Sequence, residues 1–171
     1  TNPSVKINLI ESTELAKYIS NITGQKIDGS ASGLIEINDL DFSNFISKVV
    51  IDLDKTRINL PQINFFKEFG IKGLVKGDFI FESGLLTKIS NFQGEVGKAS
   101  FDGNLELKNS LFKKAKFNYI SLPGSLISRL HIVKDENKNI ILEIDSEKIN
   151  FDNYLTYFLD NISSVSYTHL R

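Results

Sequence analysis

The chain contains no cysteine, no methionine, no tryptophan and only 3 prolines in 171 residues. Without cysteine there can be no disulfide staples, thiolate metal sites or thiol nucleophiles, although the compartment stays open. Net charge is lacking too: 20 Lys and Arg stand against 21 Asp and Glu, a formal −1, with the signs interleaved. That balance speaks against a dedicated nucleic-acid surface, and no nucleic-acid partner is expected. No apolar run approaches the ~20 residues that cross a bilayer as a helix, and no secretory leader opens the chain. Met is missing even at position 1, occupied by Thr1, which predicts an internal piece of a longer protein. At the other end, Val165-Ser166-Tyr167-Thr168-His169-Leu170-Arg171 continues no pattern and resembles sequencing-adapter read-through on a metagenomic fragment. Residues 163–171 are therefore set aside as a non-native tail.

What the chain does have is alternation of period two, the mark of strands with one buried face. Val5, Ile7 and Leu9 alternate with Lys6 and Asn8; Val49, Ile51 and Leu53 with Asp52 and Asp54. The same holds for Val75, Gly77, Phe79 and Phe81, and for Phe101, Gly103, Leu105 and Leu107. It recurs in Ala115, Phe117 and Tyr119, and in Ile140, Leu142 and Ile144. One wet and one dry face favour an antiparallel sheet. Gly70, Ser83-Gly84, Gly94 to Gly97, Lys108-Asn109-Ser110, Pro123-Gly124 and Asp135 to Asn139 read as reversals between the runs. Helical spacing appears in Glu11 to Ile22, where Leu15, Tyr18, Ile19 and Ile22 form a stripe capped by Ser12 or Thr13. It appears again in Asp152 to Ile162, and a third short turn is expected after Pro61, through Phe65, Phe66 and Phe69. The predicted fold is mainly β: an elongated, curled antiparallel sheet forming a groove, with two or three short helices. Residues 1–70 form a β-rich segment with a helix near 12–22, and residues 71–162 a β-meander ending in a short helix.

Residues that could carry chemistry are few. Asp135, Asn137 and Asn139 open with calcium-loop spacing, but Ile140 and Ser146 occupy the positions of the required Gly and Glu, so a polar hairpin turn is expected. Asp39 with Asp41, and Asp52 with Asp54, are spaced to share a strand face, where carboxylates usually form the wet side. His131 lies between Leu130 and Ile132 and is expected to face solvent or a sheet edge. Gly94-Glu95-Val96-Gly97 matches no phosphate-binding loop. Lys113, Lys114 and Lys116 with Phe117 and Tyr119 form a basic-aromatic strand, but acids flank nearly every strand. No catalytic residue, no metal ligand and no cofactor is assigned, and no enzyme is expected.

The dry face admits two readings. If the sheet closes on itself, Ile, Leu, Val and Phe make an ordinary core; if it curls and stays open, they line a trough for acyl chains.

Gly73-Leu74-Val75-Lys76-Gly77-Asp78-Phe79 followed by Gly84-Leu85-Leu86 resembles the glycine-leucine strands of the AsmA-like superfamily of bacterial envelope proteins. Ala99-Ser100-Phe101-Asp102-Gly103-Asn104-Leu105-Glu106-Leu107 continues that style, and Ile144 to Leu155 is similar to the strand-to-helix passage of its YhdP/TamB-type members. It departs from them in placing Ile149-Asn150 where Leu-Asp is usual. The resemblance covers residues 70–160. It implies a segment of a periplasmic lipid-transfer protein whose hydrophobic groove carries phospholipids between inner and outer membranes. Partners would be phospholipids, the inner membrane through an anchor outside this piece, and an outer-membrane protein. The groove lining would be Val75, Phe79, Phe81, Phe101, Leu105, Leu107, Phe117, Leu142 and Ile144. The alternative is a structural or adhesin-like β-domain with no ligand.

Overall fold

The structure is a computed structural model that describes residues 4–23, 26–38, 43–61, 65–108, 111–135, 137 and 139–149. Period-two patterning becomes strand almost throughout: β1 (Ser4–Ser12), β2 (Lys26–Gly29), β3 (Ala31–Asn38), β4 (Phe45–Asp52), β5 (Thr56–Leu60) and β6 (Phe65–Lys67). There follow β7 (Gly73–Glu82), β8 (Leu85–Val96), β9 (Ala99–Lys108), β10 (Leu111–Leu122), β11 (Ser125–Lys134) and β12 (Ile140–Lys148). The one described helix, α1 (Thr13–Thr23), interrupts them. Nine strands form an antiparallel sheet in the order β1-β3-β4-β7-β8-β9-β10-β11-β12, and β2-β5-β6 form a small second sheet. The large sheet does not close: β1 and β12 are its two edges. The division expected at residue 70 does not interrupt it, because β4 and β7 pair from Phe45↔Phe81 to Asp52↔Leu74. The helix expected over Asp152 to Ile162 and the pair Asp39 and Asp41 lie outside the described residues.

The compact core sits at one end of the sheet. Ala16 of α1, Ala31 of β3, Ile58 of β5, Phe65 of β6 and Val96 of β8 are buried together with Leu53, and Ile51, Val75 and Ala99 pack against them. The helix and the small sheet thus cap one end of strands β4, β7, β8 and β9. Ser12 starts the helix: its Oγ accepts the Glu14 N–H at 3.0 Å and the Leu15 N–H at 3.4 Å, satisfying amides that the first turn leaves bare. The buried stripe is rotated from the one expected, since Tyr18 is 64% exposed and Ala16 is 1% exposed. A methyl side chain lets the helix axis approach the sheet, whereas Tyr needs its hydroxyl in water.

The helical turn expected after Pro61 is corrected at its centre, where Phe65–Lys67 is strand β6 with a buried, exposed, buried pattern. Alternation hides Phe65 and Lys67 together, and a lysine in that slot requires a cage. Lys67 is 1% exposed. Its Nζ donates to the carbonyl oxygens of Asp54 at 3.2 Å, Thr56 at 2.9 Å and Glu68 at 3.2 Å, which uses all three ammonium protons. Gly73 makes room for the stem: a Cβ there would lie 2.8 Å from Lys67 Cε. Burial lowers the Lys67 pKa from the ordinary 10.5, against the pull of Asp54 and Asp52.

The cage generates the first expectation. Lys67→Ala removes the stem and should cost about 2–4 kcal/mol in urea unfolding, in the range of large-to-small core changes. Lys67→Met should cost less than half of that, because the stem persists and two of the carbonyls keep a second donor, Gly70 N–H on Asp54 and Ile71 N–H on Glu68. The folded state binds the Lys67 proton less readily than the unfolded chain. Stability of the native protein relative to Lys67→Met should therefore rise between the depressed folded pKa and the ordinary 10.5. A flat difference over that alkaline window would contradict the lowered pKa and show that the three carbonyls fully offset the burial of the ammonium.

Candidate functional site

In an antiparallel sheet, residues paired across strands point to the same side, so the register determines the face of every side chain. One row runs through all nine strands: Val5, Ile37, Ser47, Phe79, Ile89, Leu105, Ala115, Ile132 and Leu142. A second contains Ile7, Ile35, Val49 and Gly77, and beyond a bulge Phe92, Gly103, Phe117, Leu130 and Ile144. A third contains Leu9, Gly33, Ile51, Val75, Gly94, Phe101, Ile120, Ile127 and Ser146. Phe81 and Leu107 lie farther out, on the same face, opposite Phe45 and Phe112. The nine residues expected to line a groove therefore all share one face. Leu142 is 5% exposed and the other eight are half-buried. Nine strands at about 4.8 Å spacing make this face roughly 40 Å wide. Among the described residues, only α1 and the small sheet cover any of it, at the capped end.

Glycines shape its centre. Gly77, Gly94 and Gly103 belong to this face, and rings lie over them: Cβ atoms there would sit 3.5 Å from Phe92, 2.3 Å from Phe101 and 2.6 Å from Phe117. Phe92 and Phe101 have centroids 4.9 Å apart, and Phe117 meets Phe101 edge-on at 6.1 Å. The rings recline on bare backbone instead of standing upright, so the three form a low aromatic floor. Gly94, expected within a reversal, is therefore a strand residue; the turn is confined to Gly97 and Lys98, with Gly97 at φ 59°.

Bulges correct the face of some residues. Asn91 adopts φ 51° between Ile89 and Phe92, which places both of these on the apolar side. Its N–H donates to Asn104 Oδ1 at 3.2 Å and its Nδ2 to Asp78 Oδ2 at 2.7 Å. A register shift between Phe117 and Tyr119 turns Tyr119 to the other face, opposite Asp102, where it is 42% exposed. Tyr119 and Phe117 do not share a surface.

The opposite face is polar and largely self-paired. Lys6 binds Glu36 at 2.5 Å, Arg129 binds Asp145 at 2.5 Å, and Lys72 binds Glu95. Hydrogen bonds to Lys6 and Lys72 hold the Glu36 and Glu95 carboxyls below their usual range. Lys113 and Lys114 both approach Glu106, at 4.0 and 3.7 Å, so this basic strand is partly neutralised. His131 is on this face, with Nδ1 3.2 Å from Glu143 Oε2 and a buried Nε2 that has no hydrogen-bond partner among the described residues. Asp135 accepts the Asn139 N–H at 2.8 Å and its Nδ2 at 2.9 Å, the closed hairpin turn expected. Asp52 and Asp54 accept the N–H groups of Asp54 and Gly73. Among the described residues no group of three or more His, Cys, Asp or Glu is placed to hold a metal, and no helix is long and apolar enough to cross a membrane.

Two concavities open among residues of the polar face. One of about 360 Å³ is lined by Lys72, Leu74, Lys76, Gln93 and Glu95, among others. The other, about 690 Å³, lies at the uncapped end of β4 and β7. No protein-family model, curated protein or solved structure matches the chain.

If Gly94 serves to seat Phe101, Gly94→Ala should destabilise the protein by about 1–3 kcal/mol. In a Phe101→Leu background the same change should cost less than half as much, measured as a double-mutant cycle in urea. Equal costs in the two backgrounds would show that the ring does not need the glycine.

Proposed function

We propose that this chain is a segment of a lipid-transfer protein, and that its open apolar face is a groove for phospholipid acyl chains. The observation that carries the reading is the set of three rows crossing the sheet, apolar but for glycines, Ser47 and Ser146, with no described element over them beyond the cap. Most of this face is half-buried, with Val5 and Ile7 at its edge exposed, and the apolar surface that stays accessible can take an apolar partner. Tail carbons supply one at about 0.8 kcal/mol per buried CH₂. A lining of aliphatic and Phe side chains offers a tail no hydrogen bond to break as it slides, which suits transfer better than tight storage.

The resemblance of residues 70–160 to AsmA-like proteins supports the same assignment. With it come the periplasm as location, an inner-membrane anchor elsewhere in the parent chain and an outer-membrane partner. The protein works by binding and guiding, without a catalytic residue, metal or cofactor.

Binding of a fluorescent fatty acid to delipidated protein tests this. The native chain should bind saturably. Phe79→Asn and Leu105→Asn should weaken binding about tenfold, the loss of a contact worth roughly 1.5 kcal/mol, while both variants stay folded in circular dichroism. Lys116→Asn on the polar face should bind as the native chain does. Absence of saturable binding, or equal loss from both faces, would leave a structural or adhesin-like domain as the better reading.

A further inference from the structure

The larger concavity, about 690 Å³, is lined by Asn38, Asn44, Lys48 and Glu82 together with Ile46, Ile80, Phe45 and Phe81. It shares Phe45 and Phe81 with the apolar face, where their rings stack with centroids 4.4 Å apart at 11°. It is therefore the place where polar groups stand beside the uncapped end of the apolar face. It carries one charge of each sign, Lys48 and Glu82. Lys48 is flanked in register by Glu36 and Asp78, but Lys6 takes the Glu36 carboxylate and Asn91 takes that of Asp78. Neither Lys48 nor Glu82 makes a side-chain hydrogen bond or an ion pair among the described residues; the same holds for Lys76, Lys88 and Lys116, but only Lys48 and Glu82 line this concavity beside Phe45 and Phe81. The Asn44 Oδ1 accepts the Ser83 N–H at 3.1 Å, which fixes its amide at the rim.

We infer that this concavity receives a zwitterionic phospholipid headgroup, a phosphate ester carrying an ammonium, while the tails pass over Phe45 and Phe81 onto the apolar face. Lys48 and the Asn38 and Asn44 amides supply donors to the phosphate oxygens, and Glu82 accepts from the ammonium. The inference rests on the acyl-groove reading and adds to it a headgroup class.

The test competes three ligands against a fluorescent fatty acid on the native chain and on the double variant Lys48→Ala/Glu82→Ala. They are vesicle-delivered phosphatidylethanolamine, oleate and soluble glycerophosphoethanolamine. The native chain should prefer phosphatidylethanolamine over oleate, and the variant should lose about fivefold of that preference, as two exposed charge contacts allow, with oleate binding unchanged. Glycerophosphoethanolamine should compete only weakly; strong competition would make the concavity a site for soluble phosphate esters and overturn the lipid assignment. Unchanged preference in a variant that still binds oleate would overturn the headgroup site and leave the groove intact. Failure of the native chain to bind oleate would instead overturn the groove.

Discussion

A strand has two faces and no third option, so a sheet with one apolar face must cover it or remain open to whatever apolar partner arrives. Here register enforces the segregation across nine strands. A slip of one residue in any pair would send a set such as Val75, Phe79 and Phe81 to the side occupied by Lys76, Asp78 and Glu82. The helix and the three-stranded sheet cover only the end where Ile51, Val75, Val96 and Ala99 meet them. The proposed function rests on the remainder of that face.

The cap and the floor show two ways of controlling depth. Under the cap, Lys67 places a charge among buried groups and holds it with three carbonyls, so the end of the face is stoppered by a hydrogen-bonded plug. On the floor, Gly94 and Gly103 remove side chains so that the Phe101 and Phe117 rings can lie down. Upright rings on a sheet would fill the space above it. Reclined ones leave that space free and keep aromatic carbon in contact with it.

Much of this was legible in the sequence. Alternation located β1, β4, β7, β9 and β12, and the groove residues chosen from it prove to share one face. The serine cap of α1 was also readable, because it depends on neighbours two and three residues away. Features that depend on distant partners were not. Tyr119 looks like a continuation of Ala115 and Phe117 until the bulge intervenes, and Gly94 looks like a turn until the Phe101 ring is placed over it. Lys67 reads as a surface residue, since the three carbonyls that tolerate it come from segments around positions 54, 56 and 68. The small sheet escaped for a similar reason: strands of three to five residues carry too few alternations to register.

Photo-crosslinking measures the central point most directly. A fatty acid with a photoreactive group on its tail, bound to the delipidated chain and mapped by mass spectrometry, reports which face meets hydrocarbon. Label should fall on the three apolar rows, on residues such as Phe79, Leu105, Phe117 and Ile144, and spare Lys48, Asp102, Lys116 and Glu143. Label spread evenly over both faces, or confined to the polar one, would contradict an open apolar groove.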